Sequence, residues 1–319
     1  MKCDWGFRVK NRRGEDFEVG CGRCPPCRQR KVDEWAFRLC QEEKRSLNAY
    51  FVTLTYDEKS VPISNNKFMT LLKKEVTQKY LYDYSVEPKR RYRNPDFDSK
   101  YVKRDLPSFF KRLRKTQAMK IKYYAVGEYG SQTKRPHYHM ILYNIEAPMF
   151  AIGKDDRGNM KYKCRVIEKC WPFGSVDIGG LSSDSAAYCA KYVSKPRRIP
   201  EHKRDDRVKE FSIMSKGLGD NYISDAILKY HQDDLSRNYL TLPGGYMKAL
   251  PRYYRVRLYD EDQRLVQNRK IVKEVKVLDM KRRDDFARKY GEDFDFDSYD
   301  LEMKKGRLRA FWKNLKKRE

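Results

Sequence analysis

Two periodicities organise the apolar positions of this chain. Residues 28–49 carry Trp35, Leu39 and, two turns on, Leu47 among charged neighbours, which predicts a helix. Tyr50 to Tyr56 reads Tyr-Phe-Val-Thr-Leu-Thr-Tyr, a β-branched and aromatic run that predicts a strand, and Asp57-Glu58-Lys59 predicts the turn after it. Asn65 or Asn66 can cap a helix to about Lys79 with Phe68, Leu71, Leu72 and Val76 as its stripe. Residues 83–104 are charged and contain proline, so they predict an exposed loop. Asp105 caps a further helix with Phe109, Phe110 and Leu113 inward. Strands are expected at 121–128 and 137–144, joined by a turn from Gly130 to Pro136. The stretch 147–180, broken by Gly153, Gly158, Pro172, Gly174, Gly179 and Gly180, predicts irregular structure. A helix follows from about Ser183 to Lys195 and stops before Pro196.

The charged segment 197–217 predicts a linker, and from 220 helical patterns alternate with loops such as Pro243-Gly244-Gly245. Lys304 to Arg318 holds eight basic residues with Leu308, Phe311, Trp312 and Leu315 at helical spacing. That pattern fits a basic amphipathic helix, either packed with a solvated face or contacting DNA. No internal repeat or low-complexity tract interrupts the chain.

Charge changes this picture. The 319 residues include 71 Lys and Arg against 45 Asp and Glu, so the net charge is 71 − 45 = +26. Such an excess implies a polyanionic partner, above all nucleic acid, because neutralised phosphates release counterions. Aromatic residues at 13% argue against wholesale disorder. No stretch approaches the roughly 18 consecutive apolar residues of a membrane span. Met1-Lys2-Cys3-Asp4-Trp5-Gly6 has no apolar signal core, so a cytoplasmic protein with reduced thiols is expected.

Four of the eight cysteines fall within the first 27 residues: Cys3, Cys21, Cys24 and Cys27. The run Cys21-Gly22-Arg23-Cys24-Pro25-Pro26-Cys27 is a tight turn able to present thiolates to one centre. With Cys3 as fourth ligand, or Cys40 in its stead, it predicts a tetrahedral zinc site. An iron–sulfur cluster and a metal-free turn are the alternatives. Cys164, Cys170 and Cys189 read as isolated thiols.

Two of only four histidines form His137-Tyr138-His139. On a strand both imidazoles project from one face. Glu128 ends the preceding strand, and antiparallel pairing would bring it level with them. One carboxylate and two imidazoles suit Mg2+ or Mn2+ with coordination positions left for a substrate phosphate. On the helix beginning near Ser183, Tyr188 and Tyr192 stand one turn apart, and Lys191 and Lys195 form a neighbouring row. Ammonium groups favour the phenolate, so two tyrosines facing a metal centre would make two phosphoryl acceptors. Core tyrosines on an amphipathic helix are the plainer alternative. No Gly-x4-Gly-Lys-Ser/Thr loop or nucleophilic serine elbow competes.

Phe51-Val52-Thr53-Leu54-Thr55-Tyr56, Gly127-Glu128-Tyr129-Gly130, Arg135-Pro136-His137-Tyr138-His139 and Tyr188-Cys189-Ala190-Lys191-Tyr192 occur in that order. They resemble the motifs of HUH endonucleases, the rolling-circle replication initiators, in their two-tyrosine branch. The cysteine-rich start and Pro251-Arg252-Tyr253-Tyr254 resemble the initiators of gokushovirus-type single-stranded DNA phages (Microviridae). Tyr138 stands where the family has a bulky apolar residue.

The resemblance implies an α+β fold, a central antiparallel sheet flanked by helices with a ferredoxin/RRM-like core. It implies a Cys-rich segment over 1–49, an endonuclease domain over 50–197 and a basic, mainly helical region over 198–319. Glu128, His137 and His139 would hold the metal, and Tyr188 or Tyr192 would attack single-stranded origin DNA, leaving a 5′-phosphotyrosine and a 3′-OH. Lys191 and Lys195 would hold DNA phosphates or the leaving oxygen, while Thr53 and Thr55 read as structural strand residues. The implied partners are origin DNA and host polymerase and helicase, with capsid proteins as further candidates and no membrane, in the bacterial host cytoplasm. The rival readings are a non-catalytic, zinc-ribbon-like nucleic-acid-binding protein and a nuclease acting through water.

Overall fold

The structure is a computed structural model that describes residues 3–10, 14, 16–61, 105–130, 135–156, 158–181, 183–194, 210–291, 293 and 295–317. The helix expected near 65–79, the loop at 83–104, Lys195 and the first part of the expected linker lie outside the described residues. In chain order the strands and helices are β1 (Phe7–Lys10), β2 (Asp16–Val19), α1 (Pro25–Arg45), β3 (Ala49–Thr55), α2 (Asp105–Arg114), β4 (Lys122–Tyr129) and β5 (Pro136–Tyr143). There follow β6 (Phe150–Lys154), β7 (Met160–Lys163), α3 (Arg165–Cys170), β8 (Val176–Gly180), α4 (Ser183–Ser194) and β9 (Phe211–Met214). The last group is α5 (Asp225–Asp233), β10 (Tyr239–Thr241), β11 (Met247–Ala249), α6 (Arg252–Leu258), α7 (Glu261–Tyr290) and α8 (Phe296–Lys317).

The chain divides into two compact units, one of residues 35–219 and one of 1–34 with 220–318. The first is built on a seven-stranded antiparallel sheet in the order β6-β7-β8-β3-β5-β4-β9. Alternation along the central strands sends residues to two covered faces. Val52, Leu54, Ala125, Tyr138, Met140, Leu142 and Ile178 form a core with Leu106, Phe109, Phe110 and Leu113 of α2 and Ile167 and Cys170 of α3. On the opposite face Tyr124, Val126, Ile141 and Tyr143 pack with Leu39 of α1, Ala186 and Cys189 of α4, and Leu218.

Helix α1 starts earlier than the pattern predicts, at Pro25, because proline suits the first turn of a helix. It also stops earlier, at Arg45, which leaves Leu47 exposed and outside the helical face predicted for it. The stretch 147–180 corrects the expectation of irregular structure, since it holds three strands and a short helix. These strands have only four or five residues, too few for alternation to stand out. Their glycines mark a bulge and a close approach. Gly153, at φ 137°, follows the register shift in β6, and a Cβ on Gly174 would come within 2.2 Å of the Thr55 carbonyl. Phe211–Met214, inside the expected linker, adds the edge strand β9. The β1–β2 hairpin is likewise absent from the sequence pattern.

In the other unit, β10 pairs with β11 around the Pro243-Gly244-Gly245 turn, and Asp260 and Gln263 close a capping box at the start of α7. The chain ends anchor one another there. Arg307 of α8 pairs with Asp4 at 2.5 Å, and the Arg28 guanidinium lies 5.6 Å from the Phe311 ring and 5.5 Å from Trp312.

Glu42 ties α1 into the sheet unit. Its side chain is 1% exposed, accepts from Arg45 at 2.8 Å and from the Gly219 amide at 2.8 Å, and pairs with Lys122 at 2.9 Å. Burial opposes its ionisation, but these three donors together hold its carboxyl below the usual range. Its stabilisation is therefore complete at neutral pH and lost as pH falls below the ordinary value near 4.5. Glu42→Ala, which strands two cations, is expected to cost about 3 kcal/mol in urea unfolding at pH 7. Glu42→Gln should flatten the acid limb of the stability profile.

Candidate functional site

The register of the β4–β5 hairpin assembles the centre of the sheet unit. Glu128 pairs with His137 across the two strands, and His139 pairs with Thr53 of β3 on its other side. All four side chains belong to the sheet face covered by α1 and α4. The Nε2 atoms of the two histidines lie 3.1 Å apart, and each is 3.9 Å from a Glu128 oxygen. Glu128 is buried, and the imidazoles keep only 18% and 12% of their surface exposed.

The outward nitrogens are already engaged. His137 Nδ1 lies 3.1 Å from the Arg135 carbonyl, which can only accept, so a neutral His137 carries its proton there and its Nε2 offers a lone pair. His139 Nδ1 lies 2.9 Å from the Thr53 hydroxyl. That hydroxyl can donate to Nδ1 while His139 Nε2–H donates to His137, or accept from Nδ1–H so that both Nε2 lone pairs point to one centre. A carboxylate and two such imidazoles fit a divalent cation, and these three donors form one of the two candidate metal groups among the described residues.

The glycine and the tyrosine within the motif have local reasons. A Cβ on Gly127 would meet the Phe211 ring at 2.7 Å, so only glycine lets β9 close over the strand beside Glu128. Tyr138 faces the opposite core, and its hydroxyl lies 2.9 Å from that of Tyr56, which donates to Asp105 at 2.8 Å. The polar group that departs from the family's apolar position is thus satisfied where it is buried.

Helix α4 brings Tyr188 to this centre. The Tyr188 ring stands edge-on to His139 with centroids 5.4 Å apart and edge-on to Phe51 at 6.1 Å, and it is 38% exposed. Ala186, Cys189 and Ala190 are buried beneath it. Burial, with the charge of Glu128 added, pushes the Cys189 thiol well up, so it stays protonated and is no rival nucleophile. Lys191 is exposed on the same helix. Tyr192 lies within α4, but its side chain is outside the described residues, as is Lys195. Thr53 and Phe51 are the contributors that sequence reasoning passed over. Their relation to His139 follows from the β3–β5 register, which local pattern does not encode.

The second candidate metal group is the four cysteines, which lie in the other unit. Cys3, Cys21, Cys24 and Cys27 bring their sulfurs within 4.8 Å of one another. Cys3 and Cys24 stand 3.7 Å apart, close to the edge of about 3.8 Å for a tetrahedron of Zn–S bonds near 2.3 Å. Burial raises Cys21, but the amides of Arg23 and Cys24, donating to its sulfur, outweigh it and hold the thiol at about 7. Burial pushes Cys27 up to about 12. A Cβ on Gly20 would stand 3.0 Å from the Cys27 sulfur, so a side chain there would crowd the cluster. Cys40 is not in the group, which answers the alternative raised for Cys3.

Known proteins share this arrangement in sequence. Residues 49–197 match the family described as replication-associated protein ORF2. The chain is 27% identical over 242 residues to replication-associated protein VP4 of Bdellovibrio phage phiMH2K, covering 75% of this chain and 66% of that one. It is 28% identical over 220 residues to replication-associated protein ORF2 of Spiroplasma virus 4, covering 68% and 60%. It is 24% identical over 247 residues to replication-associated protein ORF4 of Chlamydia phage 1, covering 75% and 53%. The chain thus spans between about half and two thirds of the length of these relatives. No solved structure matches it. With its antiparallel sheet, its Glu-His-His centre and this match, the segment 49–197 belongs to the family of replication-associated protein ORF2.

Proposed function

We propose that this chain initiates rolling-circle replication of a small single-stranded DNA phage by nicking origin DNA through a tyrosine, with the nickase centred on residues 50–197. The observation that carries the reading is the convergence of Glu128, His137 and His139 beneath the exposed ring of Tyr188. A cation held by these three residues would draw charge from the scissile phosphate and make phosphorus more electrophilic. The Tyr188 oxygen attacks phosphorus, the bond to the 3′ oxygen breaks, and a 5′-phosphotyrosine remains. The phenolic proton passes to solvent and the leaving 3′ oxygen gains one. Lys191, exposed one helical step away, favours the phenolate and holds the strand. The free 3′-OH primes the host polymerase, and Tyr192 serves the second cleavage that rejoins the strand. The ester keeps the energy of the broken bond, which accords with the missing nucleotide-binding loop.

The net charge of +26 supports a nucleic-acid substrate, and the names of the three relatives support a role in replication. No helix among the described residues is long and apolar enough to cross a membrane. A non-catalytic binding protein would leave the convergent carboxylate, imidazoles and tyrosine without a purpose. We assign zinc to the four cysteines as a structural ion, on the donor set and the sulfur spacing.

Three experiments test these assignments. Labelled single-stranded oligonucleotides tiling the genome that encodes this chain are incubated with it in Mn2+ and run on denaturing gels. One of them should become covalently attached, EDTA should prevent this, and Tyr188→Phe with Tyr192→Phe should abolish it. An adduct formed by the double variant refutes the nucleophile assignment. Thr53→Val, which serves neither tautomer of His139, should weaken Mn2+ binding about 10–100-fold in calorimetry, with Thr53→Ser restoring it. Elemental analysis should find one zinc per chain after EDTA treatment, and Cys24→Ser should lose it and lower the melting temperature.

A further inference from the structure

The sheet face that carries the Glu-His-His centre continues past it onto β8, β7 and β6. Pairing runs level from Phe51 to Gly179 and on to Lys161, and Lys163 pairs with Phe150 at the edge. These residues share one face by alternation. Lys161 keeps 40% of its side chain exposed and Phe150 is 59% exposed.

Gly179 is the telling position. It lies inside a strand without positive φ, and a Cβ there would meet nothing nearer than the Met160 carbonyl at 3.8 Å. Neither backbone conformation nor a described neighbour therefore demands glycine, although glycine weakens a strand. What a bare strand offers is close approach of a ligand to the sheet, directly beside the Phe51 ring that stacks on His139. Two lysines and an exposed aromatic ring on the same surface match the alternation of phosphates and bases in a single strand. Asp177 is the opposing charge on this face. It pairs with Lys161 at 3.4 Å, and with both groups exposed that pair is weak enough for a phosphate to displace.

Building on the nicking reading, we propose that single-stranded DNA crosses this surface on its way to Tyr188. It passes close over Gly179, with phosphates on Lys161 and Lys163 and a base against Phe150. Duplex DNA is excluded from this role because its bases are not free to lie on the sheet.

The test is fluorescence anisotropy of labelled oligothymidylate with the full chain in EDTA, where binding is read without cleavage. Gly179→Val should leave the melting temperature unchanged and weaken binding about tenfold or more, the scale of one lost stacked base. Gly180→Ala, whose side chain faces the opposite core, should bind as wild type. Lys161→Gln with Lys163→Gln should flatten the plot of log K against log salt by about 0.7 per lysine. The proposal falls if the Gly179 variant binds within about twofold of wild type, if the salt slope does not change, or if a duplex probe suffers the same loss. Should Gly179→Val fail to fold, the lysine pair decides. Failure of the wild-type chain to form a covalent adduct would count against the nicking reading alone, because this assay needs no cleavage.

Discussion

Two imidazole nitrogens 3.1 Å apart, each backed by a partner on its far nitrogen, form the constraint around which the sheet unit is arranged. Lone pairs at that separation repel unless a proton or a cation lies between them. Holding them there requires a rigid support, and β5 supplies it from the middle of the sheet, hydrogen-bonded to β3 and β4. A strand at the edge would lack one of the two ladders that fix its side chains.

The two faces of that strand divide the labour. Tyr138, Met140 and Leu142 bury themselves against α2 and α3, which resists any rotation of the strand. His137 and His139 face the other way, where α4 covers the neighbouring Val126 and Ile141 but leaves the strand end open. The Tyr56–Tyr138–Asp105 chain satisfies the one polar group sent into the core. Chemistry on one face is thus anchored by packing on the other, and Trp171, donating to the Thr55 carbonyl at 2.9 Å, fastens the β3 end beside the site.

The cysteine cluster solves a different problem in the unit that contains it. A four-residue hairpin and the start of a helix bury little apolar surface by themselves. Four thiolates on one ion would join Cys3 to the turn at Cys21–Cys27 and so secure the segment that carries Asp4, the partner of Arg307. The long helices α7 and α8 have mostly exposed residues, so their order depends on caps and ion pairs such as Arg283–Asp297 at 2.5 Å.

Much of the site was legible without coordinates because its parts are local. His-x-His on a strand points both rings one way, and the short connection from Glu128 allows only antiparallel pairing, so the metal triad follows from spacing. Tyr188 on a helix, the Cys-x2-Cys-x2-Cys turn and the main elements of the sheet unit were readable for the same reason. Strands β6, β7, β8 and β9 were not, since each is short and is stabilised by neighbours distant in the chain rather than by its own pattern. The bond from Thr53 to His139, the closing of Phe211 over Gly127 and the bare surface at Gly179 join residues separated by dozens of positions. Strand register decides such contacts, and register is set by packing of the whole sheet on both faces.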